Sequence, residues 1–230
     1  IEPSFPLLFQ CCTSLSSIQT LCSKLVEHSK AISGEEWMPA IIDYLYQTVS
    51  KIIDDYLVHV YMGNKSREIE VTIAKFFDCL EWYLNAVLNQ GLNEYLSALI
   101  TNTLQLIKRL SNRLYNSWVI QFACLSFIYN LTKFFTKNPE VVAFLATVVP
   151  PLFPLTLNII YVDPFNLISD GWRRVMHKIL SIHKEFYNKL GMDGNFFVSQ
   201  FQQFGVPPEF TAKYVSQLPN ELPDKDRKLS

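Results

Sequence analysis

The side chains of this 230-residue sequence that could bind a metal or attack a substrate are few and scattered. Four histidines, at positions 28, 59, 177 and 183, form no HExxH motif. His177 and His183 are six positions apart, which places them on different faces of one helix. The five cysteines, Cys11, Cys12, Cys22, Cys79 and Cys124, form no CxxC pair. The sequence therefore predicts no metal site and no cofactor.

The sequence also lacks the common catalytic motifs. The sequence has no GxSxG elbow, no GxGxxG fingerprint and no GxxxxGK[ST] phosphate loop. The acidic pairs Glu35-Glu36 and Asp54-Asp55 are adjacent in sequence, so their carboxylates point apart on a helix. No catalytic residue is predicted, and we expect that the protein is not an enzyme.

A group of basic residues is the remaining candidate for chemistry. Arg173, Arg174, Lys178 and Lys184 lie on one predicted helix, and Arg174 and Lys178 are four positions apart, which puts them on one side. Such a face suits a phosphate group, an acidic peptide or an RNA backbone. The alternative is an ordinary solvated helix face. We take these four residues as the candidate partner-contact or phosphate-contact face.

Composition limits the class of protein. Apolar residues make up 49% of the chain and aromatic residues 14%, so a large core is expected. The formal net charge of −1 gives no global attraction to nucleic acid or acidic lipid. The odd, irregular set of cysteines is typical of reduced, buried thiols, which predicts a cytoplasmic or nuclear location. The start at Ile1 instead of Met suggests a piece or subunit of something larger.

Apolar residues recur every three or four positions along most of the chain, which predicts an all-α fold. Helix-start signals are Ser33 with Glu36, Ser117, Asn138-Pro139-Glu140 and Asp170, and helix ends are expected at Gly63, Gly91 and Gly191. The predicted helical stretches are about 14–29, 34–61, 66–89, 92–114, 117–137, 138–149, 151–161, 170–190, 195–204 and 208–216.

The long helices fall into consecutive pairs, at about 34–90, 92–137 and 138–190, followed by two short helices. With the prolines early in the first helix of two pairs, Pro39 and Pro139, this arrangement resembles the HEAT and armadillo class of α-solenoids. The resemblance implies one helical-repeat domain over residues 1–217, with a loose tail at 218–230. A closed helical bundle is the alternative fold.

Two uncharged runs, Val141–Val162 and Leu114–Thr132, are long enough to cross a membrane. The first contains Pro150, Pro151 and Pro154, which would leave backbone carbonyls without partners in lipid. Central helices covered by neighbouring helices account for both runs more simply, so we do not expect a membrane protein.

These observations favour a non-catalytic scaffold or adaptor that binds other proteins in a stable complex. Its long helical hairpins, aromatic residues and reduced cysteines resemble those of nuclear-transport receptors, which implies a role in nucleocytoplasmic transport. One alternative is a nucleic-acid-associated solenoid, in RNA processing or ribosome assembly, that uses the basic residues at 173–184. Another is a membrane-associated helical protein that uses residues 114–162.

Overall fold

The computed structural model describes residues 14–28, 32, 35–61, 66–88, 91–113, 117–134, 138–161 and 170–219. Within these ranges the regular structure is helical, without a strand, so the predicted all-α class is confirmed. The chain divides into two compact units, Ile1–Gln90 and Gly91–Ser230, where the sequence suggested one domain. The division falls between the first and second predicted helix pairs.

The first unit contains three helices, which are α1 (Leu15–Glu27), α2 (Met38–Tyr61) and α3 (Arg67–Val87). Ser14 begins α1 with a capping box, in which its side chain accepts a hydrogen bond from Ser17 N at 3.1 Å. Pro39 is the second residue of α2, as expected for a proline in a first turn. The proposed capping serine Ser33 and the proposed stop Gly63 lie outside the described residues.

In this unit α1 packs extensively against α3, and the two helices run in the same direction. Gln19 Nε2 donates to Thr72 Oγ1 at 2.9 Å, and further along both helices Lys75 Nζ donates to Ser23 Oγ at 2.6 Å. Helix α2, which lies between them in the sequence, runs in the opposite direction. Its Tyr56 hydroxyl, near the end of α2, donates to Glu70 Oε1 near the start of α3 at 3.3 Å.

The second unit begins with four helices, which are α4 (Glu94–Arg113), α5 (Trp118–Phe134), α6 (Pro139–Val148) and α7 (Phe153–Tyr161). The strong start signal before α6 is confirmed, because Asn138 Oδ1 accepts from Glu140 N at 3.0 Å and Pro139 is the first helical residue. The predicted break is a 3₁₀ turn at Pro150–Leu152 that separates α6 from α7.

The long helix α8 (Asp170–Lys189) packs against α5, and this is the most extensive contact between two helices in the described part of the chain. Contacts at the two ends of these helices show that α5 and α8 run in the same direction. Gly171 lies against the Trp118 indole at the start, and Lys189 Nζ donates to the Lys133 carbonyl oxygen at 3.5 Å at the end. Helix α4 contacts α5, α6 and α7.

Two short helices, α9 (Gly194–Gln203) and α10 (Pro208–Val215), complete the second unit and pack against each other. Gly191, which has a φ of +67°, follows the end of α8, as predicted for a helix stop. The tail predicted at 218–230 lies almost entirely outside the described residues. Leu218 is fully buried, and its carbonyl oxygen accepts from Asn188 Nδ2 at 3.4 Å, whereas residues 220–230 are outside the described ranges.

The contact between Gly171 and Trp118 makes a testable prediction. A Cβ atom at position 171 would lie 2.5 Å from Cδ2 of the indole, so Gly171→Ala forces α8 away from α5. We expect the free energy of unfolding to fall by about 1–3 kcal/mol because of this steric overlap. The overlap outweighs the higher helix propensity of alanine relative to glycine, which is up to about 1 kcal/mol. Urea unfolding followed by tryptophan fluorescence measures this change.

Gly194→Ala is the matched control, because its added Cβ atom would meet only Val215 Cγ1 at 3.3 Å. Adding Trp118→Leu to Gly171→Ala should restore part of the loss, since the smaller side chain makes room for the methyl group. An unchanged urea midpoint for Gly171→Ala would contradict the close packing of these helices.

Candidate functional site

The candidate basic residues all lie on α8, but the structure does not bring all four together on one exposed surface. Arg173 and Arg174 are exposed, and Lys184 is partly exposed. Lys178 is buried, with 7% of its surface accessible. The expected pairing of Arg174 and Lys178 on one solvent-facing side is therefore not seen.

Lys178 points into the contact between α8 and α5. Its ammonium group lies 4.5 Å from the centre of the Tyr129 ring and 5.5 Å from the centre of the Phe122 ring. Lys133 Nζ lies 5.1 Å from the centre of the same Tyr129 ring. Attraction between an ammonium group and aromatic rings stabilises a desolvated lysine, so Lys178 helps to hold the two helices together.

Arg173, Arg174, His177 and Lys184 make up the exposed part of the cluster, which we call the α8 basic face. His177 is exposed, and helical geometry places Arg173, His177 and Lys184 within about 40° of one another around the helix axis. Arg173 Nη1 lies 3.4 Å from Asp170 Oδ1, and both side chains are largely exposed. Such a pair contributes little to stability, so Arg173 remains accessible to an anionic partner.

His183 lies on a different, buried side of α8, as the six-residue separation from His177 predicted. The ring is fully buried. Its Nε2 is 2.7 Å from Thr156 Oγ1, and its Nδ1 is 2.7 Å from the Tyr214 hydroxyl. These bonds tie α8 to α7 on one side and to α10 on the other.

The hydrogen-bond pattern assigns the protonation state of His183. Thr156 Oγ1 donates its only proton to the Phe153 carbonyl oxygen at 2.7 Å, so it accepts from His183 Nε2. Nδ1 then accepts from the Tyr214 hydroxyl. Burial lowers the pKa of His183 to about 3 and raises the pKa of Tyr214. A neutral imidazole with both nitrogens engaged serves as a structural connector.

Aromatic rings surround this connector. Phe153 stacks on the His183 ring with 4.7 Å between centroids, and Phe197 meets it edge-on at 5.6 Å. Sequence reasoning gave His183 no role, although a signal was present. His183 falls four positions after Ile179 and three before Phe186, which is the spacing of the buried side of α8.

The described thiols are also buried. Cys22, Cys79 and Cys124 are free cysteines with almost no exposed surface. Burial raises the pKa of Cys124, and contact with Cys22 together with burial raises the pKa of Cys79. Both effects oppose formation of the reactive thiolate. Cys11 and Cys12 lie outside the described residues.

The described ranges contain no group of three or more histidine, cysteine or acidic side chains that could hold a metal ion. One helical stretch in the same ranges, Pro139–Leu157, is long and apolar enough to cross a membrane by length and composition. It covers α6, the 3₁₀ turn and part of α7. Less than half of it is buried within the protein.

Comparison of the chain with protein-family models, with curated proteins and with solved structures finds no match in any of the three.

Proposed function

We propose that this protein is a non-catalytic scaffold of the α-solenoid type, related in architecture to HEAT and armadillo repeats, that binds other proteins in a stable complex. The observation that carries the proposal is that helices separated in sequence by one or two others pack along each other in the same direction. Helix α1 packs along α3 in the first unit, and α5 packs along α8 in the second.

Helical hairpins that stack on one another produce this pattern, because the second helix of one pair lies along the second helix of the next. In the second unit α4 and α5 would form one pair, and α6–α7 with α8 the next. The contacts of α4 with α6 and α7 fit the same scheme. A closed up-and-down bundle would instead pack consecutive helices against each other in opposite directions.

The non-catalytic part of the proposal is supported by the positions of the reactive side chains. His183 has both ring nitrogens in hydrogen bonds, and the described thiols are packed in the core. A role in nucleocytoplasmic transport, within the cytoplasm or nucleus, is the specific pathway that we propose. It depends on the class-level resemblance to nuclear-transport receptors.

Affinity capture with the full chain, followed by mass spectrometry at low and at high salt, tests the scaffold. We expect protein partners that remain bound at high salt, because apolar contacts are insensitive to screening. Transport factors among those partners would support the proposed pathway. A preparation that retains no protein at either salt concentration would contradict a stable scaffold.

The exposed α8 basic face favours a second candidate function, which is binding of an RNA backbone. In that case recovery of RNA should fall steeply with salt and should be lost in the Arg173→Glu, Arg174→Glu double variant. The matched control is Lys108→Glu, Arg109→Glu, which reverses two adjacent exposed charges on α4. Equal RNA binding by the two double variants would exclude the α8 basic face as the RNA site.

A membrane-associated role is a third candidate function, because the stretch Pro139–Leu157 is long and apolar enough to cross a membrane. Purification without detergent tests it. We expect a monodisperse protein, because α6 and α7 contact α4 and contribute Val141, Leu145, Phe153 and Leu157 to the core. Aggregation that only detergent relieves would favour the membrane.

A further inference from the structure

Two cysteines from separate helices meet in the contact between α1 and α3. Cys22 on α1 and Cys79 on α3 are each at most 1% exposed, on helices that pack extensively against each other. The neighbouring Cys22 thiol raises the pKa of Cys79. The hydrogen bonds from Gln19 to Thr72 and from Lys75 to Ser23 connect the same two helices. Both cysteines are free in the structure.

We propose that Cys22 and Cys79 form a disulfide that joins α1 to α3 when the protein meets a small disulfide oxidant such as oxidised glutathione. In the first step one cysteine, as its thiolate, attacks the oxidant, forms a mixed disulfide and releases one molecule of reduced glutathione. The other cysteine then attacks the protein sulfur of the mixed disulfide and releases the second molecule. The protein loses two protons and two electrons, and the oxidant gains them.

Burial determines how this reaction proceeds. Neither thiol is accessible while α1 lies on α3, and the raised pKa of Cys79 keeps that thiol protonated. The first step therefore requires α1 to separate from α3, whereas the second is favoured when α1 returns and brings the sulfurs together. Reduced protein would keep α1 detachable, and oxidised protein would hold it in place.

The bond closes a loop over residues 23–78, so it restricts the unfolded chain strongly. We expect the oxidised first unit to melt about 5 °C or more above the reduced one. Dithiothreitol should return the Tm to its reduced value.

The test refolds the full chain from denaturant in a buffer of reduced and oxidised glutathione, so that access to the buried thiols does not limit the reaction. Free thiols are then alkylated and the peptides are mapped by mass spectrometry. We expect a Cys22–Cys79 cross-linked peptide, alkylated Cys124 and a higher Tm. The single variants Cys22→Ser and Cys79→Ser should lose the cross-link and the rise in Tm, while the control Cys124→Ser keeps both.

Three results would overturn the proposal. They are alkylation of both cysteines after refolding, a glutathione adduct that does not resolve, and pairing of either cysteine with another partner. A cross-linked protein with a lower Tm than the reduced protein would overturn it as well, because the bond would then work against the packing of α1 on α3.

Discussion

Replacing Phe153 by alanine should lower the free energy of unfolding of the second unit by about 3–5 kcal/mol. The side chain is fully buried at the start of α7. Its ring stacks on His183 and meets Phe196, Phe197 and Phe201 edge-on, with centroid distances of 5.3, 5.2 and 6.1 Å. Truncation removes these contacts and leaves a cavity among rings that belong to α8 and α9.

Urea unfolding measures this loss, with tryptophan emission restricted to the second unit by Trp37→Phe and Trp82→Phe. Phe210→Ala is the matched control, because that phenylalanine is 63% exposed on α10 and its truncation should cost less than about 0.5 kcal/mol. Phe153→Leu should fall between the two. Similar losses for Phe153→Ala and Phe210→Ala would mean that the aromatic cluster does not stabilise this unit.

Acid should destabilise the second unit through His183. Its pKa is about 3 in the folded protein, against an ordinary value of 6.5. Between these two values the unfolded chain binds a proton that the folded protein does not, so the free energy of unfolding falls as the pH falls. Each pH unit contributes about 1.4 kcal/mol, which gives a loss of roughly 2–3 kcal/mol between pH 6.5 and pH 4.5.

Comparison of variants isolates this contribution from the titration of the carboxylates. His183→Gln keeps a polar side chain between Thr156 and Tyr214 but does not titrate, so its stability should depend much less on pH, although it is less stable at pH 7. His177→Gln, on the exposed side of the same helix, should keep the full dependence. Equal pH profiles for His183→Gln and the unmodified protein would show that His183 is not the titrating group.

Much of the helical pattern could be predicted because it depends on local chemistry. The Asn138 cap, the proline at position 139 and the glycine at 191 act within one turn of the backbone, and each begins or ends a helix as expected. On α8 the apolar residues Trp172, Val175, Ile179 and Phe186 follow the helical periodicity that predicted the all-α fold, and all four lie in the core.

The environment of Lys178 could not be predicted in the same way. Its position at the edge of the apolar stripe allows either exposure or burial, and the choice depends on which side chains the neighbouring helix presents. Phe122 and Tyr129, about 50 residues earlier, supply aromatic rings there. The hydrogen-bond partners of His183 could not be predicted either, because Thr156 and Tyr214 belong to helices that precede and follow α8 in the sequence.

The pairing of α5 with α8 also affects how the chain must fold during synthesis. Residues 135–169 separate the two helices, so α5 leaves the ribosome well before its principal partner is made. Until then Trp118, Phe122 and Tyr129, which contact Gly171 and Lys178 of α8 in the complete protein, lack these contacts. Nascent chains that stop within this interval should be the most prone to aggregate and the most dependent on chaperones.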